Sequence, residues 1–158
     1  MKTLGLSLIF VCCVSIGIFN SRKAHDSVKQ LKEILSFMEY TKNKITYFNS
    51  TLDDIYTNYE FQDPTIGSLI QKINLNGWKH SFESTEGICI PTNTISKILQ
   101  YGQTLGKSNK DEQKTHIEHY IELITKDLKL LEEKAPEKSK LSIALGVFSG
   151  LMIVIIFI

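Results

Sequence analysis

The chain has 158 residues, with 18 Lys and Arg against 17 Asp and Glu, for a net charge of +1. That balance excludes the strongly basic surface that nucleic acid selects, and the length allows one small domain plus anchors. Of the three cysteines, Cys12 and Cys13 are adjacent in an apolar run and Cys89 stands alone, which is not a disulfide framework.

Charge is partitioned along the chain: every acidic residue lies between Asp26 and Glu137. The first element, Leu4 to Phe19, is uncharged and predicts a transmembrane helix over residues 3–20. A secretory signal peptide is its rival. The run is long for one, no Ala-x-Ala site precedes Arg22 and Lys23, and Phe10 and Val11 are too large for a lipoprotein site at Cys12.

A polar, helical domain is expected over residues 24–136. Val28, Leu31, Ile34, Leu35, Met38, Ile45 and Phe48 recur at helical spacing, and no Pro or Gly parts them from the first span. A short helix then starts near Ser50 or Thr51, with Leu52, Ile55 and Tyr59 inward. Asp63-Pro64 reads as a cap and first position, and Asn76-Gly77 as a stop. Trp78 and Phe82 mark one or two turns, and the segment from Ser84 to Pro91 a connector. Thr92 or Thr94 caps the next helix, which ends by Gly106. Ser108 caps the last, whose seam is Ile117, Ile121, Ile124, Leu128 and Leu131 and which Pro136 should stop. The tyrosines read as core or half-buried positions.

The final stretch, residues 141–158, is 18 residues without charge or proline, twelve of them Leu, Ile, Val or Phe. As a helix it would span about 27 Å, close to the roughly 30 Å of a bilayer core. The fold expected is therefore all-α: an antiparallel bundle of about five or six helices between two terminal transmembrane helices. Cys13 and Gly17 in the first span, and Ser142, Gly146 and Gly150 in the second, put small residues four apart, the spacing that lets helices approach closely in lipid. Lysine and arginine flank the domain side of both spans, against Lys2 alone on the other, so the positive-inside rule places the domain in the cytoplasm.

Chemistry-bearing motifs are sparse. His116 and His119 are three apart on one helix, but a zinc site needs a third protein ligand and metalloprotease histidines are spaced by four. Gly102 to Ser108 has the Gly-Lys-Ser end of a phosphate loop with the wrong glycine spacing and no strand before it. Cys89 has no base beside it in sequence. No cofactor is expected.

Tyr101-Gly102-Gln103-Thr104-Leu105-Gly106, followed by Asp111, Gln113, His116 and Ile117, resembles the stage III sporulation protein AB family of endospore-forming bacteria. The span, helical middle and terminal span fit the same family. The resemblance implies a domain similar to the helical cytoplasmic domain of the type II secretion platform protein. It also implies a non-enzymatic role in the channel between mother cell and forespore, in the mother-cell membrane. The partners implied are the stage III sporulation protein AA ATPase and other channel proteins, with homo-oligomers allowed. Gly102, Leu105, Gly106, Gln113 and His116 are the candidate structural corner or partner contact. Two alternatives are a small membrane-anchored metal-dependent enzyme using His116 and His119, and a cleaved, exported helical protein.

Overall fold

A computed structural model of the chain describes residues 2–48, 50–107 and 109–157. They form α1 (Lys2–Asn43), a π-helical turn (Lys44–Phe48), α2 (Leu52–Asn58), α3 (Pro64–Asn76), α4 (Trp78–Ser84), α5 (Thr92–Thr104) and α6 (Lys110–Phe157). The class is all-α, with no strand among the described residues. The terminal apolar runs are not separate helices. Each is continuous with a helix of the polar middle, so the described residues form six α-helices in all.

Local chemistry sets the ends of the short helices. The Thr51 hydroxyl accepts from Asp54 N at 3.2 Å and caps α2. Asp63 Oδ1 accepts from Thr65 N and Ile66 N at 2.9 and 3.3 Å, and Pro64 follows as the first helical residue of α3. Gly77, at φ +79°, ends α3 and starts α4. The cap of α5 is Pro91, not Thr92 or Thr94: its extended backbone directs the carbonyl at Thr94 N and Ile95 N. Thr94 is instead inside the helix, its hydroxyl donating to Asp127 at 2.9 Å. Ser108 lies outside the described residues. Asn109 caps α6, its Oδ1 accepting from Glu112 N at 3.0 Å.

Pro136 does not stop α6. A proline inside a helix costs about 3 kcal/mol, through a lost hydrogen bond and a ring clash. Packing beside it offsets that cost: Ala135 is buried, and the Ser139 hydroxyl meets that of Ser21 at 2.5 Å.

The chain divides into two compact units, Met1–Asp26 with Leu131–Ile158, and Ser27–Leu130. The first pairs α1 and α6 antiparallel. A Cβ on Gly17 would lie 2.8 Å from the Ser142 carbonyl oxygen, one on Gly146 2.9 Å from that of Cys13, and one on Gly150 2.7 Å from the Phe10 ring. Around this seam the large apolar side chains, among them Leu8, Ile16, Phe19, Leu145, Phe148 and Met152, point outward.

The second unit buries large side chains instead. Leu31, Ile34, Phe37 and Met38 of α1 pack with Ile66, Leu69, Ile70 and Ile73 of α3, Ile98 and Tyr101 of α5, and Ile117, Ile124 and Leu128 of α6. Each such side chain contributes about 1.5–3 kcal/mol. Phe37 gathers Tyr56, Tyr59 and Phe61 around itself with ring centroids 5.4–5.8 Å away. Phe48, expected inward, is 68% exposed because α1 ends at Asn43 and the π-helical turn changes the phase of the face. Ile121 of the expected seam is only half-buried.

Polar side chains fix the connectors. Gln30 of α1 is buried, donating to the Gly87 carbonyl at 2.9 Å and accepting from Cys89 N at 2.8 Å. Glu33 accepts from Gln62 N at 3.0 Å. Lys97 holds both oxygens of Asp127 at 2.7 Å, which sets the register of α5 on α6.

Candidate functional site

The corner between α5 and α6 is built on one large side chain. Tyr101 is fully buried, edge-on to Trp78 and Tyr120 at 5.7 and 6.0 Å. Next to it Gly102 has no room for a side chain, since a Cβ there would lie 2.2 Å from Trp78 Cδ2. The indole therefore lies against the backbone of α5. Thr104 donates to the Tyr101 carbonyl at 2.8 Å, and Leu105 is buried as α5 ends. Gly106 then takes φ +76°, with Leu52 of α2 beside it.

Of the expected corner residues, Gly102, Leu105 and Gln113 are packed, and Gly106 supplies the left-handed turn. His116 is exposed. Sequence reading missed Trp78 and Leu52 as the partners of the two glycines. A glycine inside a helix was the available signal, because it marks a close approach.

The Tyr101 hydroxyl has no well-aligned hydrogen bond, although the Thr41 hydroxyl is beside it. Thr41 donates its proton to the Phe37 carbonyl at 2.8 Å. Burial pushes the Tyr101 pKa well above the tyrosine range. Glu122, by contrast, is fully exposed, and a hydrogen bond from Lys126 lowers its pKa.

Among the described residues no group of three His, Cys, Asp or Glu side chains is placed to hold an ion. His119 lies instead against the Tyr120 ring at 5.6 Å. The phosphate-loop-like stretch is the end of α5 and its turn, where Lys107 N returns to the Thr104 carbonyl at 3.4 Å. In the other unit, Cys13, Gly17, Ser142, Gly146 and Gly150 all lie on the α1–α6 seam. Among the described residues one helix, α6, contains a stretch long and apolar enough to cross a membrane, by length and composition.

The family model for stage III sporulation protein AB matches residues 2–158, essentially the whole chain. The chain belongs to the stage III sporulation protein AB family. No curated protein and no solved structure matches it. Membership ties the protein to sporulation. The stretch Tyr101 to Gly106 is the α5–α6 corner: Tyr101 and Leu105 fill the core, and Gly102 and Gly106 allow the chain to pass Trp78 and Leu52.

Proposed function

We propose that this protein is a non-enzymatic membrane platform of the channel that joins mother cell and forespore. The observation that carries the reading is the family match over residues 2–158. The apolar C-terminal part of α6 supports a membrane position. In this reading both chain ends cross the mother-cell membrane as an antiparallel pair, with Gly17 and Gly146 in contact. The bundle unit faces the cytoplasm, on the side where lysine and arginine are concentrated. There it meets the stage III sporulation protein AA ATPase and other channel proteins.

The test is purification of the tagged full chain from sporulating cells after mild crosslinking. The reading expects the AA ATPase to be enriched at the stage when the channel assembles. Sporulation that proceeds normally without the protein, or an ATPase that never accompanies it, would overturn the platform reading.

A further inference from the structure

Between α2 and α3 lies a cavity of about 280 Å³, walled by Tyr56, Tyr59 and Phe61 with Asn74 and Leu75 at its rim. A half-open cavity of this size accommodates one long side chain. Its rings are held in advance: Tyr59 and Phe61 are edge-on at 4.6 Å, and both rest on Phe37. Leu75 is 81% exposed at the mouth.

The charge around this cup is mainly acidic, with Lys44 over the Tyr40 ring that lies edge-on to Tyr59, and Lys72 next after the lining residue Gln71. Residues 45–71 contain Asp53, Asp54, Glu60 and Asp63, and no Lys, Arg or His. Asp53 reaches the rim, where its Oδ1 accepts from Asn74 Nδ2 at 2.8 Å. From the α1 side Glu33 and Glu39 act on Tyr59, whose pKa is raised first by burial and then by these carboxylates. Asp63 is already engaged as the cap of α3, and Lys29 approaches it at 4.0 Å.

We propose that this cup docks a basic segment of a partner protein through one arginine, its guanidinium on the tyrosine and phenylalanine faces and opposite Asp53. Arginine suits the place better than lysine because its planar, weakly hydrated head stacks on rings. The chain's single arginine, Arg22, lies within the long helix α1, so the docking arginine comes from another protein. The inference holds whether or not that protein is a channel component.

The test uses the full chain in detergent micelles with isotope-labelled tyrosine and phenylalanine rings. The probe is acetyl-Gly-Arg-Gly-Arg-Gly amide, compared with peptides carrying citrulline, lysine or leucine in place of arginine. The arginine peptide should shift the Tyr56, Tyr59 and Phe61 signals saturably. Citrulline, a neutral isostere, should bind about tenfold more weakly, and lysine about threefold. Asp53→Asn with Glu60→Gln, which leaves the core rings in place, should weaken the arginine peptide about fivefold or more. Equal binding of citrulline or leucine would overturn the proposal in favour of an apolar contact. Equal binding of lysine would overturn the arginine assignment. Ring signals that stay still while other carboxylates respond would remove the site altogether.

Discussion

The two units of this protein are packed by opposite means. In the terminal unit the backbones of α1 and α6 nearly touch, with Gly17 against Ser142 and Gly146 against Cys13, while Phe19, Phe148 and Met152 point outward. In the bundle unit the backbones are held apart by Phe37, Met38, Tyr101 and seven or more isoleucines and leucines. In the membrane reading proposed above, the difference follows from the solvent each arrangement suits. In water, large apolar side chains gain by leaving the surface. In lipid that gain vanishes, and close backbone packing is what remains to hold helices together. One sequence thus places its bulk inside in one region and outside in the other.

The largest effect should come from charging the bundle interior. Ile124 is fully buried, and Ile124→Asp should unfold the bundle unit, since an unpaired carboxylate there costs several kcal/mol. A cooperative thermal transition within a few degrees of wild type would contradict this. Gly146→Ile asks the complementary question in the terminal unit. Even its Cβ meets a carbonyl oxygen, so the helices must part at a cost of about 1–3 kcal/mol, while the bundle transition stays in place. Energy transfer between dyes at the two chain ends would read the separation.

Gly106→Val should cost about 1–3 kcal/mol, because φ +76° is strained for a β-branched residue; Lys107→Ala, on the exposed side of the same turn, should be near neutral. Gln30→Ala should also cost about 1–3 kcal/mol, by removing the buried amide's hydrogen bonds to Gly87 O and Cys89 N. Faster amide exchange at Cys89 would locate that loss.

The smallest change belongs to Tyr101→Phe. It removes a hydroxyl that makes no well-aligned hydrogen bond, so stability near neutral pH should change by no more than about 1 kcal/mol. The pH dependence has a definite sign. Tyr101 keeps its proton longer in the folded state, so its contribution is complete below the ordinary tyrosine value of 10.0 and declines as pH rises beyond it. Tyr101→Phe should lessen the alkaline loss, with Tyr56 and Tyr59, also raised, accounting for part of what remains.

Much of this was legible in the sequence where a local rule acts alone. Thr51, Asp63-Pro64 and Asn76-Gly77 mark helix ends through their own side chains or backbone, and the three- and four-residue spacing of Leu31, Ile34 and Met38 shows a buried face. What escaped was decided by distant partners. Phe37 sits off that stripe and becomes the centre of an aromatic cluster only when Tyr56 and Phe61 arrive. Trp78 read only as marking one or two helical turns, yet its indole is what leaves Gly102 no room. Pro136 read as a stop because the rule for a lone helix ignores the packing of Ala135 and Ser139 on either side.

The central claim is that the two ends of the chain pair directly with each other through small residues. The most direct measurement is oxidative crosslinking of Ser21→Cys with Ser139→Cys, in a full chain with Cys12, Cys13 and Cys89 replaced by serine, in native membranes. The Ser21 and Ser139 hydroxyls are 2.5 Å apart, so the account predicts rapid and nearly complete intramolecular disulfide formation. A control pair using Phe19→Cys on the outward face should not react within the chain. Crosslinks that form only between molecules, or a control pair that reacts as fast, would contradict it.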